Sequence, residues 1–279
     1  MRAIHVDEIR AAVRKLCIDA NLYLPSDVTA ALENLSKKEN SPLTEMCLTQ
    51  FRANREVAAA EGLALCQDTG TAVVFIELGQ EVQICGGLLT DAVQQGVADG
   101  YRDGYLRKSI VTALSRINTE DNTPAVIHLR LVAGEHLLIR VLPKGGGAEN
   151  MSRMAMLKPS AGVEGVCDFV VDTVKLAGAN PCPPVIVGVG IGGNFESAPI
   201  LAKQALMREI GSRNPDPELD ELEQKLLMRI NQLNIGVQGF GGPDTALAVF
   251  LESMPCHFAS LPVAVNLNCH VARHQQVIL

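Results

Sequence analysis

Four apolar, β-branched runs frame any fold this chain can adopt: TAVVFIEL at 71–78, VIVGVG at 185–190, TALAVFLE at 245–252 and LPVAVNLN at 261–268. Their length and β-branched content predict buried strands. Three of the eight cysteines stand at the ends of these runs. Cys66 opens CQDTG ahead of the first, Cys182 lies between prolines in NPCPP ahead of the second, and Cys269 closes the last. Backbone at strand ends is rigid, so a thiolate placed there has a defined direction, as an iron–sulfur cluster requires. A cubane held by only three thiolates keeps one iron open to act as a Lewis acid on substrate oxygens.

Elsewhere the pattern is helical. Ile9, Val13 and Leu16 recur at helical spacing. A second helix is expected from Ser26 or Asp27, after Pro25, and a third from Pro42 to Glu61 with Arg52, Arg55 and Glu56 outward. Segments 89–105, 162–178, 196–211 and 217–234 also read as helices, with Gly178 ending the second of these. AVIHLRLV (125–132) and HLLIRVLP (136–143) predict a hairpin turning at Gly134. Helices and strands do not alternate regularly, so the expected class is α+β rather than a doubly wound sheet. Residues 1–279 are read as one catalytic domain, helical over 1–62 and mixed α/β and cluster-binding over 63–279.

The formal charge of −7 argues against nucleic-acid binding, which needs a basic face. No apolar stretch approaches the roughly 20 residues of a membrane helix, and the N-terminus MRAIHVDEIRAAVRK lacks a signal-peptide core. A cytoplasmic location is therefore expected, with free or metal-bound thiols rather than disulfides. Cys17, Cys47 and Cys167 fall on predicted helices and read as packing residues, while Cys85 and Cys256 are ambiguous.

Other readings compete. CHVARH at 269–274 would place His270 and His274 on one helical face as zinc ligands with Cys269, although no partner pair stands out. Gly188, Gly190 and Gly193 match the dinucleotide fingerprint after a strand and before a helix, but the second strand ending in an acid is missing. KGGGAEN at 144–150 is either a carboxylate-binding loop assisted by Lys144 or a surface turn.

Taken together, CQDTG (66–70), YLRKSI (105–110), NTPA (122–125), KGGGAENMS (144–152), NPCPPVIVGVGIGGNFE (180–196), SRNP (212–215) and LPVAVNLNCHVAR (261–273) resemble one family in order along the chain. This is the α subunit, or N-terminal catalytic region, of the iron–sulfur hydro-lyases: class I fumarate hydratase and L-tartrate dehydratase. The resemblance implies a 4Fe–4S cluster on Cys66, Cys182 and Cys269. It implies substrate contacts at Gln67, Arg107, Lys144 and Gly145–Gly147, and catalytic roles for Asp68 and His257. It further implies a separate β subunit that completes the site, in an αβ heterodimer or an (αβ)2 assembly, with a C4 dicarboxylate as substrate. Fumarate to (S)-malate is the expected reaction, and L-tartrate to oxaloacetate plus water is the alternative. Read without the resemblance, Asp68 is equally an Asx-turn residue, Gln67 a solvated loop residue, Arg107 a helix-end charge and His257 a satisfied loop histidine. A non-catalytic iron–sulfur or redox-sensing protein is the rival from another class.

Overall fold

The computed structural model describes residues 2–38 and 41–279. In chain order the elements are β1 (Arg2–His5), α1 (Val6–Leu22), α2 (Ser26–Leu35), α3 (Pro42–Glu61), β2 (Thr71–Gly79), β3 (Val82–Cys85), α4 (Leu89–Asp103), β4 (Val126–Val132) and β5 (Leu137–Lys144). There follow α5 (Gly146–Glu149), β6 (Arg153–Leu157), α6 (Gly162–Ala177), β7 (Val185–Gly192), α7 (Ser197–Ala205), α8 (Pro217–Asn231), β8 (Ala246–Met254), β9 (Leu261–Asn268) and β10 (Gln275–Ile278). The class is α+β, as the irregular alternation implies. No helix among the described residues is long and apolar enough to cross a membrane.

The chain forms two units. The first comprises Met1–Pro25, Ala53–Gly146 and Arg273–Leu279. Its sheet has the order β10-β5-β2-β4, and β1 pairs with β3 in a separate parallel ribbon. The predicted hairpin does not form. β2 lies between its two strands, antiparallel to β5 and parallel to β4, with Phe75 opposite Arg140 on one side and His128 on the other. Burial explains the order: Ala72–Ile76 of β2 are enclosed, whereas Leu129 and Leu131 of β4 are exposed at the edge. Gly134 still turns the chain, and its carbonyl accepts from Glu81 N–H at 3.0 Å rather than closing a hairpin.

α1 lies close against α4 because Gly96 and Gly100 carry no side chain. A Cβ on Gly96 would stand 2.8 Å from the Arg10 carbonyl oxygen, and one on Gly100 2.8 Å from the Cys17 Cβ. The predicted core positions Ile9, Val13 and Leu16 pack there with Cys17, Val93, Val97 and Tyr101. The start of α1 is fixed by a box in which His5 accepts from Asp7 N–H and Glu8 accepts from His5 N–H.

The second unit comprises Ser26–Arg52 and Gly147–Ala272. Its sheet has the order β6-β9-β7-β8, with β7 antiparallel to β9 and parallel to β8. Alternation divides the two faces. Val185, Val187 and Val189 join Val263, Val265 and Leu267 in a core with α6 and α8. The opposite face packs on α7 through Ala198, Ala202 and Ala264. Being covered on both sides, β7 is apolar throughout.

The dinucleotide match is corrected by this packing. Gly188 and Gly190 lie inside β7, not in a loop after it. A Cβ on either would stand 2.1 Å from a backbone oxygen of α7, Ala202 or Ala198. The glycines admit a helix, and α7 fills the space a pyrophosphate would need. The CHVARH reading is corrected too: 269–274 is turn and extended chain, so its histidines share no helical face. Helix 196–211 is shorter than expected and gives way to turns after Ala205. The short strands β1, β3, β6 and β10 were not evident in the sequence pattern. By contrast, Gly178 closes α6 with φ 55°, and Asp216 caps α8 ahead of Pro217.

Candidate functional site

In the first unit the CQDTG segment is an ordered turn leading into β2. Gly70 has φ 72°, and a Cβ there would lie 2.6 Å from the Lys144 carbonyl carbon, so this position demands glycine. The Asp68 carboxylate anchors the turn on both sides. Its Oδ1 accepts from Gly70 N–H at 3.0 Å, and its Oδ2 accepts from Gly146 N–H at 2.7 Å. Asp68 thus joins the cysteine turn to the glycine segment. That segment is less of a loop than expected, because β5 runs through Lys144 and a helical turn starts at Gly146. Thr69 Oγ1 donates to the Arg107 carbonyl at 2.7 Å, which brings the YLRKSI segment alongside.

Three residues that motif reading did not single out hold this turn. Arg273, 4% exposed, donates from Nη2 to the Asp68 carbonyl at 2.6 Å and from Nε to Asn21 Oδ1 at 3.2 Å. The Tyr101 hydroxyl donates to the Thr69 and Gly70 carbonyls at 2.6 and 3.1 Å. Burial raises its pKa well above the usual phenol value, so it stays a neutral donor. Asn122 donates to the Gly70 carbonyl at 3.1 Å and accepts from Ser109 N–H at 2.6 Å. Asn122 and Arg273 lie inside the NTPA and LPVAVNLNCHVAR segments, so a signal existed for both.

The first unit therefore gathers Cys66, Gln67, Asp68, Lys144, Gly145, Gly146 and the Arg107 backbone. Gln67 and the Arg107 side chain face solvent, and Cys66 is half-buried. Lys144 differs from its expected role at a mouth: it is 2% exposed, so its ammonium is enclosed by protein.

In the second unit Cys182 precedes β7 and Cys269 follows β9. Because Ile186 pairs with Asn268, both cysteines stand at the same end of the sheet. Cys182 is exposed with φ 54°, and Cys269 is half-buried. His270, next to Cys269, donates its backbone N–H to the Cys182 carbonyl at 3.3 Å. Gly147 also belongs to this unit, near the Asn180 carbonyl. His257 is not brought to these thiols. It lies between β8 and β9, at the other end of the sheet, about 25 Å away by strand rise. There it lines a groove of about 660 Å³ with Val163, Val166, Leu219, Leu222 and Phe258.

The thiols at these positions, Cys66 in the first unit and Cys182 and Cys269 in the second, are of the donor type that holds iron–sulfur clusters. Cys66, Cys182 and Cys269 are each at least partly accessible. Cys17, Cys47 and Cys167 are buried, and burial raises each of their pKa values, that of Cys17 to about 12, so they are poor thiolates. No group of three or more His, Cys, Asp or Glu close enough to hold a single ion occurs among the described residues. A cubane spaces its ligands more widely than one ion does.

A family profile described as fumarate hydratase (Fumerase) matches residues 10–278. The chain is 40% identical over 272 residues to a putative L(+)-tartrate dehydratase subunit alpha of Methanocaldococcus jannaschii, covering 95% of each. It is 33% identical over 278 residues to the L(+)-tartrate dehydratase subunit alpha of Escherichia coli O157:H7, covering 98% of this chain and 91% of the relative. The ordered CQDTG turn, the glycine segment bound to it and this full-length similarity lead to one assignment: the chain belongs to the fumarate hydratase (Fumerase) family and is a hydro-lyase of the class I fumarate hydratase and tartrate dehydratase α type.

Proposed function

We propose that residues 1–279 act as the α component of a 4Fe–4S hydro-lyase that dehydrates L-tartrate to oxaloacetate, with a separate β subunit completing the site. The observation that carries the substrate choice is the 40% identity over 95% of a relative named as a tartrate dehydratase α subunit. The family description favours a second reading, reversible hydration of fumarate to malate. The subunit designation of the relatives supports the β partner. An αβ heterodimer, alone or doubled, is the proposed assembly.

Cys66, Cys182 and Cys269 are the proposed cluster ligands. When bound, the cluster supplies a Lewis-acidic iron with one position open to substrate oxygens. The chain's own residues supply orientation. Exposed Gln67 and Arg107 beside the Asp68 turn present an amide and a guanidinium to a carboxylate, which Arg binds in bidentate fashion. Gly145, Gly146 and Gly147 carry no side chain, so a substrate carboxylate approaches their backbone closely. Lys144 contributes positive potential from beneath the segment rather than direct contact. The Asp68 carboxylate, which sets this geometry, is the proposed group that exchanges a proton with substrate or water. His257 has no place in this set, given its distance from Cys182 and Cys269.

The test is steady-state turnover of the anaerobically reconstituted αβ complex on L-tartrate, malate and fumarate, with iron and sulfide analysis. Tartrate turnover with weak malate and fumarate turnover supports the reading. Malate and fumarate turnover without tartrate turnover replaces it with the second reading. Iron-free protein of full activity rejects the cluster.

A further inference from the structure

Of the three non-glycine residues of the second unit in left-handed backbone, Cys182, Asn234 and Gln238, two are tied together. Cys182 has φ 54° and Gln238 has φ 52°. Gln238 grips the Pro183 carbonyl twice, from its backbone N–H at 2.8 Å and from Nε2 at 3.1 Å. The same Nε2 stands 3.2 Å from His270 Nδ1. That ring nitrogen lies 3.0 Å from the Cys182 carbonyl, which also accepts from the His270 backbone N–H at 3.3 Å. The His270 ring is stacked on Phe51, with centroids 3.9 Å apart and planes at 15°. Beside Gln238, Gly239 has φ 80°, and a Cβ there would lie 2.4 Å from the Ala179 Cβ. The turn at 236–239 is therefore pressed against the turn that presents Cys182.

The Pro183 carbonyl is thus held by the Gln238 side chain and the Cys182 carbonyl by the His270 backbone N–H, while the His270 side chain places Nδ1 between the Gln238 amide and the Cys182 carbonyl, accepting from the one or donating to the other according to its tautomer. One of those side chains belongs to the residue directly after Cys269. Unfavourable backbone is retained at Cys182, and its thiol remains exposed. Packing alone gives no reason to spend strain on an exposed side chain, whereas aiming a ligand does.

We propose that Gln238 is a positioning residue for the sulfur ligands: through Pro183 and His270 it fixes the directions of Cys182 and Cys269 relative to each other before a cluster is bound. This rests on the cluster reading above. Outer groups that orient metal ligands typically change affinity by about 10–100-fold when removed.

The test compares wild type, Gln238→Ala and Gln238→Glu, each purified anaerobically as the full complex. Leu226→Ala, in the α6–α8 core, serves as a control for general destabilisation. The readouts are iron and sulfide content, the rate of iron loss in air, and the electron paramagnetic resonance spectrum of the oxidised centre. Gln238→Ala and Gln238→Glu are expected to lose iron about tenfold faster and to show an altered spectrum. Leu226→Ala keeps the wild-type spectrum at a comparable fall in melting temperature. Should Gln238→Ala fail to fold, His270→Phe removes the ring nitrogens while keeping an aromatic ring against Phe51, with the same expectation. Wild-type spectra and loss rates in the Gln238 variants, or identical changes in Leu226→Ala, overturn the proposal. A wild-type complex that holds no iron overturns the cluster reading itself, and a wild-type complex that holds iron beside unaltered variants overturns only the clamp.

Discussion

Replacing Asp68 by Asn tests the joint between the cysteine turn and the glycine segment. The carboxylate accepts two backbone N–H groups on different oxygens, Gly70 at 3.0 Å and Gly146 at 2.7 Å. An amide has one oxygen, so it serves one N–H and turns its NH2 group toward the other. A hydrogen bond to a charged group contributes about 1.5–3 kcal/mol. The Gly146 bond lies on an exposed part of the turn, where water replaces the lost acceptor in part, so the cost falls near the lower end, about 1–2 kcal/mol. In proteins of 150–250 residues each kcal/mol moves the melting temperature by about 2–4 °C. For this chain the expected fall is about 3–6 °C, read by circular dichroism on anaerobic protein. If the side chain also moves a proton, kcat falls by about 10²–10⁴. A melting temperature unchanged within about 1 °C refutes the structural joint. A kcat within about twofold of wild type refutes the proton-transfer role.

Serine at Cys66, Cys182 or Cys269 should abolish iron and sulfide binding, whereas Cys17→Ser, in the first unit's core, should retain it; iron retained by all three serine variants contradicts the ligand set. Gly190→Ala forces a Cβ to within 2.1 Å of the Ala198 carbonyl oxygen, so α7 must retreat. The expected cost is about 1–3 kcal/mol or more by urea unfolding, and an unchanged midpoint refutes the packing account. The hydrogen bond from Arg10, opposed by burial and reinforced by Arg102, holds the Asp99 carboxyl below its usual 3.8. In the window between the lowered value and 3.8 the unfolded state binds more protons, so this contribution is intact above 3.8 and is lost as pH falls through the folded value. Wild type should thus exceed Asp99→Asn in urea stability at neutral pH, with the gap shrinking below about pH 4. A gap that stays constant with pH rules out the ion pair as its source.

Local signals determined much of this protein. β-branched runs placed β2, β7, β8 and β9, the helical reading of 217–234 placed α8, and Gly178 placed the end of α6. The same residues showed which cysteines border strands and which lie on helices, and the ordered series of motifs marked the family. Strand neighbours were another matter, since pairing depends on which strand is buried on both faces. β2 therefore intervened between two runs that looked like a hairpin. The glycines of β7 are similar: sequence shows a missing side chain, but only packing shows that a helix backbone uses the space. Tyr101 and Arg273 in the first unit, and Gln238 in the second, act over long sequence separations on backbone carbonyls. A carbonyl has no residue identity, so even a motif that contains the donor, as the 261–273 segment contains Arg273, does not advertise which carbonyl it meets. Tertiary structure alone decided which side chains grip these turns and left His257 at the far end of its sheet.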